Sequence, residues 1–285
     1  MTDSLEAVRL RIHGVQQLDT VIGAMRGIAA AHAQQARALL PGYRAYADVI
    51  GQAIAQALRL RGEDGRAEGA GRTGKRLGRI VFCAEHGFAG AFSEHVIEAA
   101  DAGDAPVAML LIGGRGMALL DARGETPTWQ MPMATRVSGI DPLCARLAEA
   151  LYGMLQEHGL TTVEVVFPIW MPGEGLRIER RSLLPLDEAR FRPAPAGVPP
   201  LTTLPPEVLL RSLATEYVYA ALCEVAAHAF AAENEARVAA MVRARNNVRD
   251  MLEHLRGSER QVRQEAITAE LVELAGAIRP PSHMG

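Results

Sequence analysis

The sequence predicts an α/β domain combined with a long antiparallel coiled coil that is built from the two ends of the chain. Both ends carry apolar residues with a seven-residue period, which is typical of coiled coils. The middle alternates strand-like with helix-like runs, which is typical of α/β layers. Two irregular stretches separate these parts. The predicted segments are an N-terminal helix (1–61), a loop (62–76), an α/β domain (77–191), a proline-rich connector (192–206) and a C-terminal helix (207–285).

The N-terminal helix follows from two apolar rows. Every seventh residue from Val8 to Ile50 is apolar or aromatic, and a second row from Leu5 to Ile54 is mostly apolar. Such rows are the a and d positions of a coiled coil, and a sustained seven-residue period predicts a left-handed supercoil.

The C-terminal helix shows the same period from Leu213 to Val262, with Asn234 as the polar exception. At 1.5 Å per residue this helix would be roughly 105 Å long, so it must protrude or bind a partner. Because the middle of the chain forms its own domain, the two end helices are expected to pair as an antiparallel shaft beside it.

The middle of the chain predicts a small Rossmann-like α/β domain with a mainly parallel sheet. The predicted elements are buried strands at 77–84, 106–113 and 161–170, an alternating edge strand at 175–184, and helices at 88–101, 115–123 and 141–157. Gly113, Gly114 and Gly116 follow the second strand, but the spacing GGRG is not GxGxxG. We therefore interpret these glycines as a tight strand-to-helix turn.

Charged residues on the seams fix the register of the coil. Asp19 interrupts the first seam and Arg245 the second, and a charge on a buried seam is costly unless it is partnered. We predict that these two residues face each other. The same register places Leu5 opposite Glu259, so that the last helix beyond about Arg260 has no partner within the chain.

The unpaired tail still carries an apolar stripe, formed by Ile267, Leu271, Leu274 and Ile278. Something else must therefore surround it. On the first helix, Gly23 and Gly27 lie one turn apart and each costs roughly 1 kcal/mol relative to alanine. They indicate a close approach of the two helices, or a slim shaft inside a tight sleeve, and the two interpretations are compatible.

Composition and motifs exclude several classes of function. A net charge of −3 favours neither nucleic acid nor an anionic membrane as a partner. The three cysteines are far apart and suggest neither a disulfide framework nor a zinc site, which favours a reducing compartment. The sequence contains no apolar run of ~18 residues, so no membrane span is predicted. It contains no GxxxxGK[ST] motif, so no phosphate-binding loop is predicted, and no cofactor is expected. Glu85, His86, Glu94 and His95 match no HExxH motif, and we interpret them as surface residues.

Two end segments resemble the signatures of F-type ATP synthase gamma subunits. The C-terminal runs are AENEARVAAMVRARNNVRDML (232–252) and RQEAITAELVEL (263–274), and the N-terminal run is RIHGVQQLDTVIGAMRGIAAA (11–31). SLLPL (182–186) is similar to a run in the central domain of that family.

The resemblance implies the central-stalk rotor of an ATP synthase, without chemistry of its own. Its implied partners are the hexamer of alpha and beta subunits, the epsilon subunit and the membrane c-subunit ring, on the cytoplasmic side of the inner membrane. Met25, Arg237, Gln264, Thr268 and Glu270 occupy signature positions that in the family face loops of the catalytic subunits. The apolar tail is the part that the family buries in the collar of the hexamer.

The chain also departs from the family pattern. EHGFAGAF (85–92) stands where the family has a DRGLCGG-like run, His228 replaces a glutamate, and AHAQQARA (31–38) replaces a basic stretch. These differences indicate a divergent branch, such as the alternative F-type operons of some bacteria.

Two other functions are compatible with the pattern of helices and strands alone. One is an α/β enzyme with a coiled-coil oligomerisation arm, which predicts polar residues converging at the carboxyl edge of the sheet. The other is a coiled-coil tether, which predicts that the unpaired tail self-associates rather than binding different subunits. Neither explains why both ends of the chain carry signatures of one family.

Overall fold

The computed structural model describes residues 5–61, 74–187, 191 and 201–277. The helices are α1 (Leu5–Arg61), α2 (Phe92–Asp101), α3 (Gly114–Ala122), α4 (Ile140–Glu157) and α5 (Pro206–Ala277). The strands are β1 (Leu77–Phe82), β2 (Ala108–Ile112), β3 (Trp129–Met131), β4 (Thr162–Met171) and β5 (Gly175–Leu184). Residues 62–73 of the predicted loop and 192–200 of the predicted connector lie outside the described residues.

The predicted fold class is confirmed. The part of the chain that the structure describes has a long helix at each end, and the strands between the two helices form a mixed sheet flanked by shorter helices. Helix α1 contains Pro41 and continues beyond it. The left-handed sense of the coil stays a prediction.

The sheet has the strand order β3-β2-β1-β4-β5. Strand β1 is parallel to both β2 and β4, and β3 is parallel to β2. Strand β5 pairs antiparallel with β4 at the edge, where the alternating sequence had placed it. The short strand β3 was not predicted, because three residues are too few to show a period.

The two faces of the sheet are covered by different helices. Alternate residues of β1 point to opposite faces, so that Phe82 joins one core cluster and Val81 the other. Helix α4 and residues 222–231 of α5 pack on the Phe82 face, whereas α2 and α3 pack on the Val81 face. Because both faces are covered, all residues of β1 are buried, as parallel strands require.

The described chain divides into two compact units. The terminal unit contains the described residues up to Ile28 and from Ala239 onward, and the central unit contains those from Ala29 to Val238. Each unit therefore includes a part of α1 and a part of α5. The sheet lies entirely in the central unit.

Candidate functional site

The end of α5 is an exposed helix with an apolar stripe. All residues from Arg263 to Leu274 are exposed, including 52% of Ile267 and 61% of Leu271. Ile267, Leu271 and Leu274 follow one another at spacings of four and three residues, which places them on one face of the helix. Ile278, the next residue of the predicted stripe, lies outside the described residues.

Polar residues flank this stripe. Gln264 and Thr268 lie on one side of it and Glu270 on the other, by the 100° step of the helix. All three are exposed, and the Thr268 hydroxyl donates to the carbonyl of Gln264 at 2.8 Å within the helix. The structure thus places these three residues on one surface with the apolar stripe.

The first helix of the terminal unit carries a second exposed apolar face. It is formed by Leu10, Leu18, Val21 and Ile28, each more than half exposed. Met25 is half-buried and lies within the same arc of the helix. The family resemblance pointed to Met25 alone. Its apolar neighbours on this face could not be found from the seven-residue period, because they belong to neither heptad row.

Gly23 and Gly27 do not mark a close approach of helices. A Cβ atom built on either residue would meet no described atom within 4 Å. The prediction of close helix packing at these glycines is therefore wrong. Their effect is to remove side chains from a surface that is open in the terminal unit.

The predicted seam pair is present in the terminal unit. Arg245 Nε donates to Asp19 Oδ1 at 3.0 Å, and both side chains are about 30% exposed. Arg9 Nε donates to Glu259 Oε1 at 3.1 Å. The strict register puts Leu5 opposite Glu259, and Arg9 lies one turn further along α1, within reach of a long side chain. These pairs show that α1 and α5 run antiparallel in this unit.

Arg237 lies in the central unit and has several partners within the chain. Its Nη2 binds Glu233 Oε1 at 2.5 Å, and its Nη1 donates to Asn234 Oδ1 at 3.0 Å. Nε and Nη2 also point at the carbonyls of Gly87 and His86, at 3.4 and 3.5 Å. That Arg237 faces a catalytic subunit, as the resemblance implies, stays a prediction; within the chain its side chain lies against the turn after β1.

The structure also explains the polar residue Asn234 in the apolar row of α5, because its side chain has hydrogen-bond partners within the chain. Its amide donates to the carbonyl of Phe230 at 2.9 Å, while its oxygen accepts from Arg237. The residue is 2% exposed, so both polar atoms of the side chain are satisfied inside the protein.

The prediction that Glu85 is a surface residue is wrong. Its Oε2 accepts hydrogen bonds from the backbone N–H of Gly114 at 2.9 Å and of Met133 at 2.7 Å. Gly114 begins α3, so the carboxylate occupies a helix N-terminus, where unpaired N–H groups attract an anion. The glycine turn is tight, as predicted: Gly113 has φ 108°, and a Cβ there would lie 2.4 Å from the carbonyl oxygen of Cys83.

A cluster of charged residues joins α1, β5 and α5 in the central unit. Arg44 and Arg181 bind the two oxygens of Glu224 at 3.0 and 3.1 Å, and His228 Nε2 lies 3.7 Å from Glu224 Oε1. His228 first, and then the two guanidinium groups, lower the pKa of Glu224 to about 2 against the opposing effect of burial. Arg181 also stacks on the Phe167 ring at 5.0 Å.

The part of the chain that the structure describes contains no group of three or more histidine, cysteine or acidic residues arranged to hold a metal ion. Among these same residues, no helix combines the length and the apolar character that crossing a membrane demands.

Comparison with known proteins places the chain in one family. A family model described as ATP synthase matches residues 4–279. The ATP synthase gamma chain of Moorella thermoacetica is 27% identical over 283 residues, covering 95% of this chain and 96% of that one. The gamma chain of Symbiobacterium thermophilum is 24% identical over 290 residues, with coverages of 97% and 98%.

Solved structures agree in fold. The rotor of the Euglena gracilis mitochondrial ATP synthase superposes with a TM-score of 0.62 at 11% identity, covering 92% of this chain and 98% of that one. The central stalk of the Tetrahymena thermophila mitochondrial enzyme gives 0.58 at 14% identity, with coverages of 79% and 99%. Because the family model matches nearly the whole sequence, and the relatives are matched over nearly their whole length, the chain belongs to the family of ATP synthase gamma chains.

Proposed function

We propose that this chain is the rotor of the central stalk of an F-type ATP synthase. It couples ion movement through the membrane sector mechanically to ATP synthesis or hydrolysis in a hexamer of alpha and beta subunits. The observation that carries the proposal is the exposed apolar stripe at the end of α5, on a helix that has the family's signature.

The stripe supports a bearing inside the hexamer. Three large apolar side chains on one helical face, Ile267, Leu271 and Leu274, are each more than half exposed. Burying apolar surface contributes about 25 cal/mol per Å², so a collar of apolar residues around this face would hold the helix without fixing its rotation. Gln264, Thr268 and Glu270 beside the stripe would then meet loops of the catalytic subunits.

The second apolar face, on α1, supports a sleeve around the shaft. Met25 and its exposed neighbours offer apolar contact, and Gly23 and Gly27 leave room for a surrounding subunit to approach the backbone. Of the two interpretations of these glycines, the slim shaft is the one that the open surface supports.

The central unit serves as the foot of the rotor in this proposal. Its partners are the epsilon subunit and the c-subunit ring, at the cytoplasmic face of the inner membrane. We infer no catalysis by the chain itself: the helix N-terminus that follows the glycine turn holds the chain's own Glu85 carboxylate. The role of Arg237 in coupling is then indirect, through the turn that it contacts.

Thiol labelling tests the bearing. The native cysteines Cys83, Cys144 and Cys223 are all buried, so a cysteine introduced by Leu271→Cys is labelled selectively by a maleimide. We expect its labelling to slow at least about tenfold when the chain assembles with the alpha and beta subunits, because the collar excludes the reagent.

The matched control is Glu125→Cys, on an exposed loop of the central unit. Its labelling should be the same in the free chain and in the assembly. Equal protection at both positions, or protection at neither, contradicts the placement of the α5 tail inside the hexamer.

A further inference from the structure

Glu233 is a buried carboxylate that holds a turn of another element. It lies on α5, is 3% exposed, and accepts hydrogen bonds from the backbone N–H groups of Glu85 and His86 at 3.2 and 3.3 Å. Hydrogen bonds to an ionised acceptor are about twice as strong as neutral ones. The turn after β1 is thus attached to α5 by bonds of defined direction.

Arg237 completes the attachment from the next turn of α5. It neutralises Glu233 and points at the carbonyls of His86 and Gly87. Donors and acceptors of the same turn are therefore both bound by side chains of one helix. Phe88, the next residue, has φ 65°, a conformation that persists only where the surroundings fix it.

Glu85 extends the attachment into the sheet. While its N–H is bound by Glu233, its carboxylate binds the N–H groups of Gly114 and Met133. Gly114 follows β2 and Met133 follows β3. One chain of hydrogen bonds therefore joins α5 to the ends of three neighbouring parallel strands.

Among the described contacts, one other polar bond joins α5 to the sheet, the ion pair between Glu224 and Arg181 on the edge strand β5. The remaining contacts are of a different kind, because residues 222–231 pack through alanine, leucine, valine, cysteine and phenylalanine side chains. Apolar burial is non-directional, so these contacts resist separation of helix and sheet far better than they resist sliding or twisting of one on the other.

We propose that Glu233, Arg237 and Glu85 are positioning residues of a torque joint, which locks the α/β sheet to α5 against rotation. The inference rests on the proposed rotor function, since only a rotor must pass torque from this sheet to α5. Apolar packing holds the two together, and the hydrogen-bonded chain keeps them from slipping.

The test is the coupling ratio of the assembled complex in sealed vesicles, measured as ions pumped per ATP hydrolysed. Glu233→Gln keeps the shape of the side chain but removes its charge. We expect it to lose about half or more of the pumping per ATP, while ATP hydrolysis continues. Arg237→Gln, at a half-buried position, should show the same loss and guards against a misfolded Glu233 variant.

Glu164→Gln is the matched control. Glu164 binds the buried Arg79 and also Arg180 at 2.6 Å each, within the sheet, and has no bond to α5 among the described contacts. It should lower the melting temperature at least as much as Glu233→Gln does, yet leave the coupling ratio unchanged.

The outcomes distinguish a failure of the proposed rotor function from a failure of the proposed torque joint. If the wild-type assembly hydrolyses ATP but does not pump, the proposed function fails. If the wild type pumps and Glu233→Gln and Arg237→Gln pump equally well per ATP, the joint is overturned. It is also overturned if Glu164→Gln loses coupling in proportion to its loss of melting temperature, because the effect is then general destabilisation.

Discussion

The terminal and central units differ in what happens to their apolar side chains. In the central unit the large apolar residues of α5, such as Leu222 and Phe230, are almost fully buried against the sheet. In the terminal unit the same helix leaves Met251, Ile267 and Leu271 more than half exposed. One helix thus behaves in two ways: its first half completes a core, and its second half leaves apolar side chains exposed.

The comparison predicts that the same leucine-to-aspartate change on α5 has a large effect on stability in the central unit and almost none in the terminal unit. Leu222→Asp places an unpaired charge in a dry core, and we expect it to cost more than about 4 kcal/mol and to unfold the central unit. Leu271→Asp adds a charge to an exposed surface and should change stability by less than about 0.5 kcal/mol.

Native thiols report the difference directly. All three cysteines lie buried in the central unit, so their labelling rate measures the opening of that unit. In Leu222→Asp the three cysteines should be labelled within the mixing time of the experiment. In Leu271→Asp their labelling rate should equal that of the wild type. Similar labelling of the two variants would break the distinction between the units.

The charged cluster around Glu224 gives the central unit a dependence on pH. The pKa of Glu224 is about 2 in the folded chain and about 4.3 in an unfolded one. A lowered pKa stabilises the fold above the unfolded value, and this stabilisation is lost as pH falls from about 5 towards 2. This shift in pKa corresponds to about 3 kcal/mol. Because solvent screens part of it at this partly exposed site, Glu224→Gln should cost about 2 kcal/mol at pH 7.

Urea unfolding of both proteins at several pH values measures this effect. Other carboxylates titrate in both chains, so the informative quantity is the difference in unfolding free energy between wild type and variant. That difference should shrink towards zero as pH approaches 2. A difference that stays constant from pH 7 to pH 3 means that Glu224 stabilises through packing alone.

The sequence predicted the terminal unit more completely than the central one. A seven-residue period and two opposite charges were enough to place Asp19 beside Arg245. The period repeats along each regular helix and so defines the two seams, and the opposite charges indicate which positions on the seams face each other. The chain of bonds through Glu85 and Glu233 was missed. Its members are separated by 148 positions, share no period, and meet only because the sheet brings their backbones together.

Family resemblance had a similar limit. It identified Arg237 as a signature residue, but it did not show that the side chain binds Glu233 of the same helix, because that contact depends on the fold. The sequence shows Gly23 and Gly27 as destabilising residues in a helix, yet only the folded structure shows that the space beside them is open.

The seam pair of the terminal unit should contribute little to stability. Asp19 and Arg245 are each about 30% exposed, and partly exposed ion pairs typically contribute 0.2–1 kcal/mol. A double-mutant cycle with Asp19→Asn and Arg245→Gln should give a coupling free energy of about 0.5 kcal/mol that decreases in high salt. A coupling above about 2 kcal/mol would indicate a drier seam than the structure has.

The smallest effect is expected from removing the α5 tail. Deleting residues 262–285 takes away Ile267, Leu271 and Leu274, which are exposed. It also removes two surface pairs, Arg263 with Glu259 and Glu265 with Gln261. Glu259 keeps its bond to Arg9, so thermal melting of the free chain should stay within about 2 °C of the wild type. Leu252→Asp, on the half-buried seam, is the contrasting variant and should lower the melting temperature clearly.

In the assembled complex the deletion should instead reduce ion pumping per ATP hydrolysed, because the upper bearing is gone. A deletion that destabilises the free chain as much as Leu252→Asp does would mean that the tail is held within the chain, and the terminal unit would then not be the region that keeps its apolar surface for other subunits.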